Sequence, residues 1–113
     1  MSVETTRMLK VVPREKAFYF FMSIGNYTGV SASSLKEFME KLTEVNQKSL
    51  EFHFHRGDFE KWINEVLQDQ ELAGEFRRLQ KSNLMGDALR SQLATTVSRR
   101  YKRLTGQTSS VRF

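Results

Sequence analysis

Ala17-Phe18-Tyr19-Phe20-Phe21-Met22, residues 17–22, is the longest apolar run in the chain and has no polar face. Without a polar face there is no periodicity to separate a buried strand from a buried helical turn. Its length, its aromatic content and the Gly25-Asn26 turn signal after it favour a strand. Tyr27-Thr28-Gly29-Val30-Ser31 then reads as a short returning strand, which makes the segment an aromatic hairpin.

Helical signals dominate C-terminal to the hairpin. Ser34-Leu35-Lys36-Glu37 fits a capping box, in which a Ser hydroxyl and a Glu carboxylate satisfy free amides at a helix start. Leu35, Phe38, Met39, Leu42 and Val45 follow at helical spacing and define one buried face. Leu50-Glu51-Phe52-His53-Phe54-His55 alternates strictly, as a half-buried strand would, although six residues also fit a helical turn. Gly57 breaks the chain, and Asp58 is placed to cap a helix carrying Phe59, Trp62, Ile63, Val66 and Leu67. Asp69 can cap the next, through Leu72, Ala73, Phe76 and Leu79. After a joint at Ser82-Asn83 and Gly86, a last helix carries Leu89, Leu93, Val97, Tyr101 and Leu104 on one stripe, with Gly106 as its C-cap. N-terminal to the hairpin, residues 1–16 are polar with scattered apolar positions and read as an extended arm. The expected fold is mainly α with a short N-terminal β-hairpin or strand pair, an α+β class. It comprises the arm, a compact body over 17–86, and a basic helix with a polar tail over 87–113.

Composition narrows the function classes. The chain has 113 residues, of which 39% are apolar, with nine Phe, three Tyr and one Trp, enough for one modest core. No stretch approaches the roughly 20 apolar residues of a membrane span, and the N-terminus lacks the apolar segment of a signal peptide. A cytoplasmic location without membrane contact is therefore expected. With no cysteine in the sequence, disulfides, thiol catalysis and thiolate metal sites are removed together.

Ala17 to Phe21, Ile24-Gly25-Asn26-Tyr27-Thr28-Gly29, Ala32-Ser33-Ser34-Leu35 with Phe38, Ser49-Leu50-Glu51-Phe52-His53, and Arg56-Gly57-Asp58-Phe59 running into Trp62-Ile63 form a distinctive set. Over residues 16–75 it resembles a group of small, mostly archaeal proteins of unknown function. The resemblance implies an archaeal cytosolic setting and no established activity, so it assigns no functional residues.

His53, His55 and Asp58 are the nearest approach to a metal or acid–base site. On an extended segment the two imidazoles share a face, with Asp58 or Glu51 to complete a ligand set. Two histidines alone make no tight structural site, and the simpler reading has His53 satisfying a buried group while His55 lies on the surface. Arg56-Gly57-Asp58 reads as a turn with a helix cap, and Gly25 to Gly29 as a hairpin turn that lacks the Lys-Ser/Thr of a phosphate loop. Neither a catalytic residue nor a metal or cofactor site is expected.

Charge is the more informative feature. From residue 77 onward nine basic residues, Arg77, Arg78, Lys81, Arg90, Arg99, Arg100, Lys102, Arg103 and Arg112, face one acid, Asp87. Residues 1–76 hold nine basic residues and twelve acids, so the body is mildly acidic and the C-terminal third strongly basic. Ordinary surface helices intersperse both signs. A nearly acid-free run of Arg and Lys draws polyphosphate backbones instead, and an Arg excess suits bidentate phosphate contact. These nine residues are the expected nucleic-acid-binding set, projecting from the last helix and its surroundings. RNA or the ribosome is favoured as partner over DNA, since no recognition-helix pattern is visible. The alternative is a homodimeric interaction or regulatory module that pairs the stripe from Leu89 to Leu104 with a second copy.

Overall fold

The computed structural model of the chain describes residues 3–106. These contain α1 (Val3–Leu9), β1 (Phe18–Ser23), β2 (Asn26–Ala32), α2 (Leu35–Leu42), α3 (Gln47–Arg56), α4 (Asp58–Trp62), α5 (Gln70–Gln80) and α6 (Gly86–Thr105). The expected α+β class with an N-terminal hairpin is the class the chain adopts. β1 and β2 pair antiparallel, with Phe18 opposite Ala32 and Phe20 opposite Val30. Phe18, Phe20 and Ala32 are buried, so the period of two places alternate β1 side chains in the core.

Phe38, on α2, is the centre of that core. Its ring lies 5.3 to 6.4 Å from those of Phe18, Phe20, Phe59, Trp62 and Phe76, which brings both β1 and helices α4 and α5 onto one side chain. Ring pairs at these separations contribute about 0.5–1.5 kcal/mol each beyond area burial. The capping box holds α2 in place. Ser34 Oγ accepts from the Glu37 amide at 3.1 Å, and the Glu37 carboxylate accepts from the Ser33 amide at 2.7 Å, one residue before the usual return position.

Three local expectations are corrected. Residues 3–9 of the arm are helical rather than extended, and Val12 beyond them is buried, its amide donating to Ser33 O at 2.7 Å. Residues 50–55 lie within α3 and form no strand. Leu50, His53 and Phe54 are buried, the i, i+3, i+4 spacing of a helix face, whereas Phe52 is only half-buried. Gly57, not Asp58, occupies the N-cap of α4, and the Asp58 carboxylate turns back to His53 and Arg56. After Trp62 the helix widens into a π turn over Ile63–Leu67, closed by left-handed Gln68 (φ 59°), the one non-glycine residue with positive φ among those described. Asp69 does cap α5 as expected, accepting from the Leu72 amide at 3.1 Å.

The apolar stripe of α6 docks on the body. Leu89, Leu93 and Val97 are each fully buried, and burial of such a side chain contributes about 1.5–3 kcal/mol. Tyr101 and Leu104 pack partly buried against the same core. The body of the chain itself thus covers Leu89, Leu93 and Val97.

Candidate functional site

The basic residues of the C-terminal third divide according to where α5 and α6 point them. Arg100 shares the buried face of α6, one turn beyond Thr96 and Val97, and its guanidinium meets Asp69 and, at 3.2 Å, Glu71. Burial alone would pull its pKa down. The hydrogen bonds and charge of Asp69, with Glu71 and Glu75 adding to them, instead hold it above the ordinary arginine value. Arg90, at the edge of the stripe, donates to the carbonyls of Leu42 (2.9 Å) and Val45 (2.7 Å) and so closes the C-terminal end of α2. Arg77 pairs with Glu60 at 2.7 Å and Arg103 with Glu71 at 2.6 Å. Part of the expected binding set is thus engaged within the fold, with Arg100 the clearest departure from an exposed role. Arg112 lies outside the described residues.

Arg78, Lys81, Arg99 and Lys102 are exposed and have no acidic partner among the described residues. Arg99 and Lys102 line a groove of about 580 Å³ between α2 and α6, together with Met39, Thr43, Thr95 and Ser98. On the other flank of α6, Arg99 and Arg78 line a smaller groove of about 200 Å³ with Glu75, Gln92 and Thr96. The outward row of α6 is therefore a basic ridge between two grooves. Its cations are placed to meet anionic oxygens, and the hydroxyls of Thr95 and Ser98 add neutral donors and acceptors beside them, while Thr43 Oγ1, which donates to Glu40 O at 2.7 Å, adds an acceptor. Sequence reading missed those hydroxyls. Thr95 and Ser98 sit one turn apart on α6, whereas Thr43 follows α2 and only packing brings it beside them.

The histidines part company. His53 is buried and His55 exposed, since two positions apart on a helix they face different ways, so the shared face of an extended segment does not exist. His53 Nε2 accepts from the Phe21 amide at 2.8 Å and Nδ1 lies 2.8 Å from Asp58 Oδ2. This assigns the neutral tautomer with its proton on Nδ1. Burial pushes the His53 pKa below its usual value, outweighing the hydrogen bond and charge of Asp58, and Arg56 acts in the same direction as burial. Among the described residues no group of three or more His, Asp or Glu is placed to hold a metal ion, and no helix is long and apolar enough to cross a membrane.

Comparison with curated proteins and with solved structures gave no match. A family profile matches residues 13–112, from the end of the arm through the whole of α6, well beyond the residues 16–75 that carried the resemblance. The chain belongs to the family of unknown function DUF5752.

Proposed function

We propose that this protein is a non-enzymatic nucleic-acid-binding accessory protein of the cytoplasm, with structured RNA or the ribosome as favoured partner and DNA as the alternative. The observation that carries the reading is the sorting of charge. Arg100, Arg90, Arg77 and Arg103 satisfy acids or carbonyls of the body, while Arg78, Lys81, Arg99 and Lys102 stay outward beside grooves with hydroxyl-bearing walls. RNA is favoured because α6 is flanked by α2 and α5 and does not protrude as a helix that could enter a DNA major groove. A shallow basic surface with hydroxyl groups suits the phosphates and 2′-hydroxyls displayed across an A-form minor groove.

The test is affinity for structured RNA and for duplex DNA across a salt series. Each phosphate neutralised contributes a slope of about −0.7 to −0.9 in log affinity against log salt. Converting Arg78, Lys81, Arg99 and Lys102 to Gln is expected to flatten the slope by about three units while leaving thermal stability within about 0.5 kcal/mol. A salt-independent affinity, or a slope untouched by the four changes, would overturn the reading.

A further inference from the structure

Another cavity lies away from the basic ridge, between the hairpin, α3 and the start of α4. It measures about 310 Å³, with Tyr19, Phe21 and Phe52 among its walls and Ile24, 84% exposed, contributed by the hairpin turn. An apolar, aromatic pocket with a few convergent polar groups is the general form of a small-ligand site. Here those groups are Arg56 and Asp58. His53 also borders the cavity, but both of its ring nitrogens are engaged, so it positions Asp58 and offers a guest no free polar atom.

The chemistry of the two polar groups narrows the guest. Asp58 Oδ2 meets both His53 Nδ1 (2.8 Å) and Arg56 Nε (3.2 Å), which leaves Oδ1 as an acceptor. Arg56 uses Nε on Asp58, leaving its Nη groups as a fork of donors. Its guanidinium carbon sits 4.8 Å from the Phe52 ring centroid, so a cation already covers that ring. A second cation, such as a quaternary ammonium, would be repelled. A neutral planar ring can stack on the aromatic walls instead. It must offer two adjacent acceptors to the Arg56 fork and a donor beside them to Asp58. Among nucleobases guanine offers N7 and O6 as adjacent acceptors, followed by N1–H.

We propose that this pocket holds an unstacked guanine base, with Arg56 on O6 and N7, Asp58 Oδ1 on N1–H, and Tyr19, Phe21 and Phe52 around the ring. The proposal rests on the nucleic-acid reading for the source of the base, and its chemistry uses no residue of the basic ridge. The test titrates guanosine and adenosine, which carry no phosphate, into the full chain and follows backbone amide resonances of Phe21, Gly25 and Phe52. Guanosine should bind roughly tenfold more tightly than adenosine. Asp58→Asn and, independently, Arg56→Gln should each abolish that preference, whereas Arg99→Gln with Lys102→Gln should leave it intact. Arg56 is exposed, so its variant reports even where Asp58→Asn weakens the fold. Equal binding of the two nucleosides, a preference surviving Arg56→Gln, or stronger binding of tetramethylammonium would each overturn the proposal. The single strands UUGUU and UUAUU then separate the sources. Tighter binding of UUGUU assigns the base to RNA, and equal binding alongside guanosine selectivity overturns the RNA-base form in favour of a free nucleotide. Loss of guanosine selectivity with the salt slope intact removes the pocket alone, while the reverse removes the ridge reading alone.

Discussion

Arg100 and Asp69 meet through two bonds, Nε to Oδ2 at 2.8 Å and Nη2 to Oδ1 at 3.0 Å, with side chains 11% and 1% exposed. The same carboxylate caps α5 through Oδ1. Arg100→Met would leave a buried carboxylate unpaired, and is expected to cost about 3–5 kcal/mol in denaturant unfolding. Adding Asp69→Ser removes that charge and keeps a capping oxygen, so the double variant should recover most of the loss. Equal losses in the two variants would show that the unpaired charge is not the cause.

His53 ties the hairpin to α3 through a lone pair that protonation would remove. Its folded-state pKa lies below the ordinary 6.5 of the unfolded chain, so the unfolded state takes up the proton first as pH falls. Stability from this group is full above about pH 6.5, declines as pH drops towards the folded value, and is flat below it. In His53→Ala this slope should disappear, with a cost of about 1–3 kcal/mol at neutral pH because the Phe21 amide loses its acceptor. Unfolding measured at several pH values checks both points.

Phe38→Ala and Trp62→Ala should each destabilise by about 3–5 kcal/mol through cavity formation, since both side chains lie in the aromatic core. Trp62→Phe should cost far less. It keeps a ring in the core and gives up the bond from Nε1 to Lys16 O at 2.8 Å, worth about 0.5–1.5 kcal/mol. Thermal melts of the three variants rank these terms.

Gly57 joins α3 to α4 in the left-handed region at φ 79°. A Cβ there would meet Gln80 Nε2 at 3.6 Å, an ordinary contact, so the cost of Gly57→Ala is backbone strain. About 1–2 kcal/mol is expected from unfolding measurements. A neutral result would mean that the junction relaxes to negative φ.

Much of the fold is written in local signals. The hairpin, the capping box at Ser34, the Asp69 cap and the Gly106 C-cap each depend on neighbours a few residues away, and each formed. Where tertiary placement decides, the sequence was ambiguous or misleading. Leu50, Phe52 and Phe54 alternate, yet Leu50, His53 and Phe54 are what the core takes up, and a polar His in that face hid the helical period. Arg100 has the helical phase of Thr96 and Val97, but a charged residue there reads as exposed unless the buried Asp69 is known to await it. The short α1 has no buried residue to mark a face. The grooves beside α6 and the cavity beside Phe52 exist only once separate elements pack, so only their charged residues were visible beforehand.

The anchoring of α6 also sets an order of events in folding. Its start is held by Glu51 accepting from the Gly86 amide across 35 residues, its first turns by Arg90 on Leu42 O across 48, and its far half by Arg100 on Asp69 across 31. Each contact must close a long loop before it is formed. Synthesis proceeds from the N-terminus, so residues 17–80 can collapse around Phe38 while the surface destined for Leu89, Leu93 and Val97 is still bare. During that interval the nascent body is at its most prone to aggregate, and arrival of the last helix ends the exposure.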